Sequence, residues 1–490
     1  MVYFNLKVLN WQVAIFLLKF KDTLNMTKRF KTSLFISMVV LFTVAAPLII
    51  FYSFGWRFDW KHKKIIQTGI FYFKVWPKNV EIFINGKLEK KTDFLFGSAV
   101  VENLLAGNYE LEIKKDNYHP WKKTLKVEEK MATEAKNIVL VPKNPKFLNL
   151  SNQVSDFYFL DNEKKIILKE EDVSPGSKET WALKIFDLKK NIKSRLIGAA
   201  DFSKKEKTEL INFQGSSDSK KILLKIGQKE KINYYLLPVD ENPPVPTPLD
   251  FISQNADEVY FNPNNPQKIL ILENGTLKEA GLTSKEISAP KLKNIAAISF
   301  LNSDIYYLDD AGFIFKTDFS FTNGKRLNQS PFSLKSETDY KLLVSPDNVF
   351  LEENKTLYFL NDDKIFEKIF EPTEYFSFSP DYKKVFLANN FEIWIFFLEN
   401  SNEQPKREKG EKILLTSFSE KIDDIFWWTN YYLIFRTGPK IKIAETDDRN
   451  KLNIVDLAEF PDSKIFWSKI NKKLYVLSNG ALFTSEEITP

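Results

Sequence analysis

The first pattern of hydrophobic and polar positions is a long apolar stretch near the N-terminus. Between Lys31 and Arg57 the chain has 25 consecutive residues without a charge. A helix of that length covers about 37 Å, which exceeds the ~30 Å hydrocarbon core of a bilayer. Tyr52 and Trp56 lie at its far end, where interfacial aromatic residues belong. The pattern predicts a transmembrane helix over residues 32–56, and a cleaved signal peptide is the alternative.

The residues that flank this stretch indicate an orientation. Basic residues lie on both sides with a slight excess before the stretch, which favours a cytoplasmic N-terminus. Long domains cross a membrane largely regardless of their charge. We therefore expect residues 1–31 to be cytoplasmic, and everything that follows a juxtamembrane linker at 57–68 to be extracytoplasmic.

Met26 opens a short basic segment of the kind that precedes a membrane anchor, so translation starts at Met1 or at Met26. If translation starts at Met1, the residues before Met26 are expected to form an amphipathic segment at the membrane interface.

From Gly69 onward the pattern changes to alternation with period two. Apolar Tyr109, Leu111 and Ile113 alternate with charged residues, as in a strand with one buried face. The pair Asn85-Gly86 is a strong hairpin signal, because a type I′ turn needs positive φ at both central positions. The pattern predicts a small antiparallel β-sandwich over residues 69–142.

The same segment resembles the PEGA domain, a short extracytoplasmic β module of bacterial and archaeal surface proteins. The resemblance covers residues 69–141 and follows the order of a proline turn, EIFING, LLAGNYELEI and DNYHPWKKTLKV. Pro77-Lys78-Asn79-Val80 stands where the family has Pro-x-Gly-Ala, and Asn117-Tyr118, followed by Trp121, stands where the family has Gly-Tyr. Asparagine can adopt the left-handed conformation of the two missing glycines. The resemblance implies a surface protein and carries over no catalytic residue.

A strand followed by a turn recurs through the rest of the chain. One residue in the first strand of each unit can serve as its mark: Tyr158, Phe213, Phe261, Phe300, Val344, Phe378, Trp427 and Trp467. Their mean spacing is about 44 residues, the size of a four-stranded propeller blade. A second and a third short strand follow each mark. The repeats predict a β-propeller over 146–490 with eight blades; seven blades and an array of β-sandwiches are the alternatives.

The last repeat predicts how the ring closes. It has only three strands before the chain stops, so we expect residues 146–151 to supply its fourth strand. Two turns, Ser379–Lys384 (SPDYKK) and Ser345–Asn348 (SPDN), resemble the Ser-Pro-Asp-Gly-Lys turns of TolB-like and WD-like repeats. Tyr382 occupies the glycine position in the first of these turns.

Two segments interrupt the repeats and are either binding elements or tolerated insertions. Pro243–Pro248 in the second unit contains four prolines, which predicts a stiff polyproline II-like loop outside the sheet. Ser401–Lys412 in the sixth unit is rich in charged residues and predicts a surface loop.

Composition excludes several classes of chemistry. The chain of 490 residues has no cysteine, two histidines and 16 glycines. Disulfides, zinc fingers, thiol nucleophiles and iron–sulfur clusters are therefore excluded, and phosphate-binding glycine loops are scarce. The net charge of +6 is mild for this length, which argues against a nucleic-acid-binding protein. The 43% hydrophobic and 15% aromatic content is enough for folded cores.

The remaining candidate residues do not form a catalytic motif. His62 and His119 have no partner at motif spacing. Adjacent carboxylates could act as glycosidase acids or calcium ligands, although acids in turns are usually solvated. They are Asp309-Asp310, Asp362-Asp363, Asp423-Asp424 and Asp447-Asp448. The densest aromatic group, Phe426-Trp427-Trp428 with Tyr431-Tyr432, could be a sugar platform or, more simply, the core between two blades.

The sequence therefore favours a non-enzymatic protein of the cell envelope. We expect a single-pass membrane protein whose propeller binds a protein, a glycan or an envelope component, without cofactor, metal or nucleic acid. The alternative is a propeller hydrolase of glycans or peptides, which would need a carboxylate pair that converges at one site.

Overall fold

A computed structural model of the protein describes residues 28–60, 63–161, 163–171, 180–203, 207–241 and 243–489. The predictions for the segment before Met26, for the start site and for His62 lie outside these residues. The chain divides into two compact units. The first is made of Met1–Tyr72, Val100–Tyr109 and Lys126–Thr133, and the second of Phe73–Ala99, Glu110–Leu125 and Glu134–Pro490.

The first unit contains the apolar helix. Helix α1 spans Lys28–Ser53, with Pro47 inside it, and is long and apolar enough to cross a membrane. Strands β1 (Trp56–Asp59) and β2 (Lys64–Gln67) follow as an antiparallel hairpin. The helix ends three residues before the predicted end, and the predicted linker at 57–68 contains this hairpin.

Seven strands form two small sheets where the sequence predicts the β-sandwich. They are β3 (Gly69–Trp76), β4 (Glu81–Ile84), β5 (Lys87–Lys91), β6 (Ser98–Leu104), β7 (Gly107–Lys114), β8 (Trp121–Val127) and β9 (Ala132–Val139). One sheet has the order β6-β3-β9 and the other the order β5-β4-β7-β8. We call residues 69–142 the small module.

The turns of the small module have the backbone conformation that the sequence predicts. Asn85 and Gly86 have φ angles of +48° and +78°, as a type I′ turn requires, and they join the antiparallel strands β4 and β5. Asn79 and Asn117, which stand at the two glycine positions of the resemblance, have φ angles of +57° and +66°.

Eight sheets, all in the second unit, follow within the described residues. We number them in chain order by their first long strand. The first four are β11 (Asp156–Phe159), β12 (Lys165–Glu170), β13 (Ala182–Asp187), β14 (Ile192–Gly198); β15 (Thr208–Gly215), β16 (Lys221–Gln228), β17 (Lys231–Pro238), β18 (Thr247–Pro248); β19 (Glu258–Asn262), β20 (Asn265–Glu273), β21 (Thr276–Gly281); and β22 (Ile295–Leu301), β23 (Asp304–Asp309), β24 (Ile314–Asp318), β25 (Lys325–Arg326). A short helix, α2 (Ala199–Phe202), follows β14.

The last four sheets repeat the same order of strands. They are β26 (Tyr340–Val344), β27 (Val349–Glu353), β28 (Thr356–Leu360), β29 (Phe366–Phe370); β30 (Tyr375–Phe378), β31 (Lys384–Ala388), β32 (Glu392–Phe397), β33 (Lys412–Ser417); β34 (Ile422–Thr429), β35 (Tyr432–Thr437), β36 (Lys440–Glu445), β37 (Ile454–Glu459); and β38 (Ser463–Ser468), β39 (Lys473–Ser478), β40 (Ala481–Ser485), β10 (Phe147–Asn152).

The hydrophobic cores lie between consecutive sheets and form a closed cycle. Each pair of neighbours from the first to the eighth sheet shares one cluster of buried side chains. A further cluster joins the eighth sheet to the first, where Tyr475 and Leu482 pack with Phe157 and Ile166. Seven of the eight sheets have four strands and the third has three. A cycle of such antiparallel sheets that pack face to face is the architecture of a β-propeller.

Strand pairing confirms the predicted closure. Strand β10 pairs antiparallel with β40, with Leu148 opposite Thr484, so the start of the repeat region completes its last sheet.

The prediction that Pro243–Pro248 forms a loop outside the sheet is wrong for the last two residues of that segment. Thr247 and Pro248 form β18, which pairs with Leu236 and Tyr235 at the edge of the second sheet. Proline is tolerated there because an edge strand leaves some of its N–H groups unpaired.

Candidate binding site beside the sixth and seventh sheets

Three of the four predicted carboxylate pairs each contain a carboxylate that is bound to a cation. Asp362 pairs with Lys409. Asp423 lies 3.2 Å from Nη2 of Arg436, while Asp424 accepts a hydrogen bond from the N–H of Ile465.

An acid in each of the remaining two pairs also has a partner. Asp447 lies 2.6 Å from Nη2 of Arg449, and its neighbour Asp448 pairs with Arg407. Asp309 accepts the N–H of Phe313 in a turn. No group of three metal-ligating side chains is present among the described residues.

The described histidine lies apart from these acids. His119 is half-buried, and its backbone N–H donates to the carbonyl of Val141. Burial, together with the charge of Lys143, lowers the pKa of the imidazole.

The aromatic group is mainly core, as predicted. Trp427 packs into the cluster between the sixth and seventh sheets, and Trp428 and Tyr432 pack into the cluster between the seventh and eighth. Adjacent positions of one strand point to opposite faces, so this run fills both interfaces of the seventh sheet. Tyr431 differs, because its ring lines a cavity.

A buried ion pair joins strand β8 of the small module to the seventh sheet. Nζ of Lys123 lies 2.6 Å from Oε1 of Glu445, and both side chains are almost fully buried. Nε1 of Trp121 donates to Oε2 of Glu445 at 2.7 Å, and the side chain of Asn453 donates to Oε1 at 2.7 Å. Burial raises the pKa of the Glu445 carboxyl, and these donors oppose that rise because each favours the carboxylate.

The loop between β32 and β33 packs against strand β9 of the small module. Gln404 accepts the backbone N–H of Glu134 at 3.0 Å. Glu403 accepts hydrogen bonds from the hydroxyl of Tyr431 at 2.9 Å and the side chain of Asn137 at 3.2 Å. The segment Ser401–Lys412, which the sequence leaves open between binding element and insertion, is thus tied to its neighbours.

This loop closes over a cavity of about 70 Å³ that continues into an open groove of about 570 Å³. The wall of the cavity combines aromatic, basic and acidic side chains: Trp121, Phe397, Tyr431, Tyr432, Lys136, Lys384, Arg407, Glu403, Glu445 and Asp447. The groove has a more polar lining that includes Asp381, Lys383, Glu399, Asn400, Asn402 and Glu403. We call these two spaces the Lys384 cavity and the polar groove.

Lys384 is the residue that distinguishes the cavity. Its side chain starts at the first position of β31, and only 8% of the residue is exposed. Nζ lies 4.6 Å from the centre of the Tyr431 ring and makes no hydrogen bond or ion pair with a described residue. Burial lowers the pKa of the ammonium group, against the longer-range attraction of Asp381 and Glu403.

Arg407 lies in the same wall, and its charge is already paired. Its terminal nitrogens pair with Glu411 and Asp448, and its plane lies over the ring of Phe397. Nε is buried and has no hydrogen-bond partner within the described chain. Buried donors without acceptors are rare because each costs about 1–3 kcal/mol.

The sequence did not predict this site. Lys384 lies in the SPDYKK turn. Tyr382 has a φ of +58°, which fits its place at the glycine position of this turn pattern. The turn signal locates the lysine at the start of a strand, but it carries no information about what lies opposite. The cavity depends on strand β9, which is more than 240 residues away in the chain.

A scan against protein-family models and a search of curated proteins found no match to the chain. Several solved structures are similar to it. The C-terminal WD40 domain of Sif2 has a TM-score of 0.45 at 10% identity, covering 70% of this chain and 98% of that one. The β-propeller domain of Cps50 (Swd1) from Myceliophthora thermophila has a TM-score of 0.36 at 11% identity, covering 70% and 99%. Hsv2p from Kluyveromyces lactis has a TM-score of 0.38 at 12% identity, covering 63% and 99%. The assignment as a propeller rests on the chain's own sheets and the cores between them.

Proposed function

We propose that the chain is a non-enzymatic binding protein, anchored in the cell membrane by α1, whose propeller holds a protein, glycan or envelope component outside the cytoplasm. The Lys384 cavity carries the binding part of this proposal. Nζ of Lys384 meets no acceptor among the described residues, whereas three of the four candidate carboxylate pairs contain an acid that is paired with a cation. A site with unused donors is suited to bind a ligand, and carboxylates held by cations are poorly suited to acid–base catalysis.

Helix α1 supports the membrane location. None of its side chains is buried, and its sequence is uncharged after Lys31. Exposed apolar surface of this length is unfavourable in water and favourable in a bilayer. At its C-terminal end the guanidinium of Arg57 lies 3.4 Å from the centre of the Tyr52 ring, a pairing typical of a membrane interface.

Labelling of single cysteines tests the location. The chain has no cysteine, so each introduced thiol is unique. Lys28→Cys lies before the apolar stretch, and Ser336→Cys lies on an exposed loop of the repeat region. We expect a membrane-impermeant maleimide to label Ser336→Cys in intact spheroplasts and Lys28→Cys only after permeabilisation. Labelling in the reverse order, or release of the protein from membranes by carbonate, would refute the anchored orientation.

Two finer structural assignments belong to the same proposal. We assign the eight sheets to eight blades of one ring, supported by the cycle of cores and the pairing of β10 with β40. We assign residues 69–141 to a PEGA-like module, supported by the positive φ angles of Asn79, Asn85 and Asn117 at the turn positions of that pattern. The resemblance favours an extracytoplasmic location in a bacterial or archaeal envelope.

A further inference from the structure

One cationic side chain lines the Lys384 cavity with donors that no described residue accepts. Lys384 offers three N–H groups, and its Nζ lies against the ring of Tyr431 without an acceptor among the described residues. The guanidinium of Arg407 in the same wall is already paired with Glu411 and Asp448. Because the ammonium group of Lys384 has no carboxylate paired with it, an anionic acceptor is favoured over a neutral one.

The equivalent lysines of other blades show that this arrangement is unusual. Lys165 and Lys221 are the first residues of β12 and β16, as Lys384 is of β31. Nζ of Lys165 pairs with Asp240 at 2.6 Å, and Nζ of Lys221 donates to the side chain of Gln267 at 2.7 Å. Each reaches an acceptor near the next sheet. At the corresponding place Lys384 meets the ring of Tyr431, which leaves its hydrogen-bonding capacity unused.

The size and charge of the two spaces restrict the ligand. The cavity of about 70 Å³ is large enough to accommodate a carboxylate group. The adjoining polar groove contains Asp381, Glu399 and Glu403, whose charges disfavour a dianionic phosphate. Its amides and carboxylates favour hydroxyl or amino groups on the rest of the molecule.

We infer that the Lys384 cavity binds the carboxylate of a small acidic ligand, with Lys384 Nζ as the donor, while the polar groove holds the hydroxyl or amino groups of that ligand. Tyr431 and Phe397 would pack against its carbon skeleton. The inference rests on the proposed binding function and specifies its ligand. An acidic sugar and a peptide with a free C-terminus both have this chemistry.

Calorimetric titration of the full chain in nanodiscs tests the inference with two matched pairs of probes. The first pair is D-glucuronate and neutral D-glucose, and the second is alanyl-alanine and its C-terminal amide. We expect saturable binding of at least one acid and much weaker binding of its neutral partner. The acid that binds more tightly identifies the source of the carboxylate as sugar or peptide.

Two lysines at equivalent strand positions provide the test variant and its control. Lys384→Met keeps the length of the side chain and removes the charge, and we expect about 10- to 100-fold weaker binding of the acid, as for a lost charged hydrogen bond. Lys165→Met removes the same charge from the first residue of β12, which pairs with Asp240 and lines neither the cavity nor the groove, and should leave affinity within about threefold. Melting of Lys384→Met at or above the wild-type temperature would show that the fold is intact.

Three results would overturn the inference. They are no saturable binding of either acid at tens of millimolar, equal binding of an acid and its neutral partner, and unchanged affinity in Lys384→Met. None of these results affects the cysteine-labelling experiment, which tests the membrane location separately. Failure of the ligand assignment is therefore distinguishable from failure of the anchored orientation.

Discussion

At the scale of single residues, asparagine occupies positions that need a left-handed backbone, and two of these positions are glycine in the PEGA pattern. Asn79, Asn85 and Asn117 all have φ between +48° and +66° in the small module. For L-residues other than asparagine and aspartate, the left-handed conformation costs about 1–2 kcal/mol of conformational energy, because Cβ approaches the following carbonyl oxygen. The turn pattern is therefore preserved in the backbone although the sequence lacks the glycines.

We predict that Asn117→Gly preserves the thermal stability of the protein, whereas Asn117→Ala lowers the free energy of unfolding by about 1 kcal/mol. Asn117 is exposed, so glycine removes little packing, while alanine must adopt the same positive φ without asparagine's local hydrogen bonding. Thermal melting of the two variants side by side measures the difference. Equal melting temperatures would contradict the conformational explanation.

The titration of Lys384 provides a second prediction. Burial lowers its pKa in the folded protein, so the unfolded chain holds the proton at pH values where the folded protein has released it. The free energy of unfolding therefore gains a contribution that increases as pH rises from the folded pKa toward about 10.4. Asp381 and Glu403 favour the ammonium, and Lys383 opposes it.

We expect the stability of the wild type relative to Lys384→Met to increase as pH rises from 7 to about 10.4. Other titrating groups are common to both proteins and cancel in the difference. Thermal melting across this pH range is the measurement. A difference that stays constant with pH would show that Lys384 titrates as in the unfolded chain.

At the scale of strands, the sequence predicts the second strand of each sheet most clearly, because that strand is largely buried on both faces. Strands β31 and β35 illustrate this, since nearly all of their residues are buried and apolar. The fourth strands were harder to predict, because they lie at the outer edge and are short or polar. Strands β18 and β25 have two residues each, and no hydrophobic pattern exists at that length.

The junction of β8 with the seventh sheet could not be predicted for a different reason. In the sequence WKKTLKV, Lys122 and Lys123 are equally plausible as solvent-facing residues. In the structure Lys122 pairs with Glu112 at the surface, whereas Lys123 is buried against Glu445. Only a partner more than 300 residues away distinguishes the two lysines.

We predict that Lys123→Met lowers the free energy of unfolding by about 3–5 kcal/mol, because it leaves the Glu445 carboxylate buried without its counter-ion. Adding Glu445→Gln should recover part of this loss, since it removes the uncompensated charge and its single amide oxygen still accepts from Asn453. Lys122→Met is the matched control and should change stability by no more than about 0.5 kcal/mol. Denaturant unfolding measures all three variants. Equal effects of Lys122→Met and Lys123→Met would contradict the buried pair.

At the scale of the whole molecule, the ring of sheets depends on one pairing between distant parts of the chain. Repeat proteins that stay open have two exposed end sheets, and each end can pair with another chain. Here strand β10 covers β40, and the cluster around Tyr475 and Phe157 joins the eighth sheet to the first. The strand count of the last repeat was sufficient to predict this pairing from the sequence, because an incomplete blade needs a partner strand.

A disulfide across this pairing tests the closure. Leu148 and Thr484 are register partners, so the variant Leu148→Cys/Thr484→Cys should form an intramolecular bond on oxidation. Since the bond closes a loop of almost the whole propeller, the chain-entropy relation gives about 6 kcal/mol of stabilisation. Lys440→Cys/Glu459→Cys joins the third and fourth strands of the seventh sheet, also register partners, but closes a short loop worth about 3 kcal/mol.

The expected result is a larger rise in the midpoint of denaturant unfolding for Leu148→Cys/Thr484→Cys than for the short-loop control, with both variants monomeric on non-reducing gels. The control separates the effect of ring closure from that of any disulfide between third and fourth strands. If the ring were open and β10 paired with another chain, the same two cysteines would form a covalent dimer. Such a dimer, or a failure to oxidise while the control does, would show that β10 and β40 of one chain are not paired in solution.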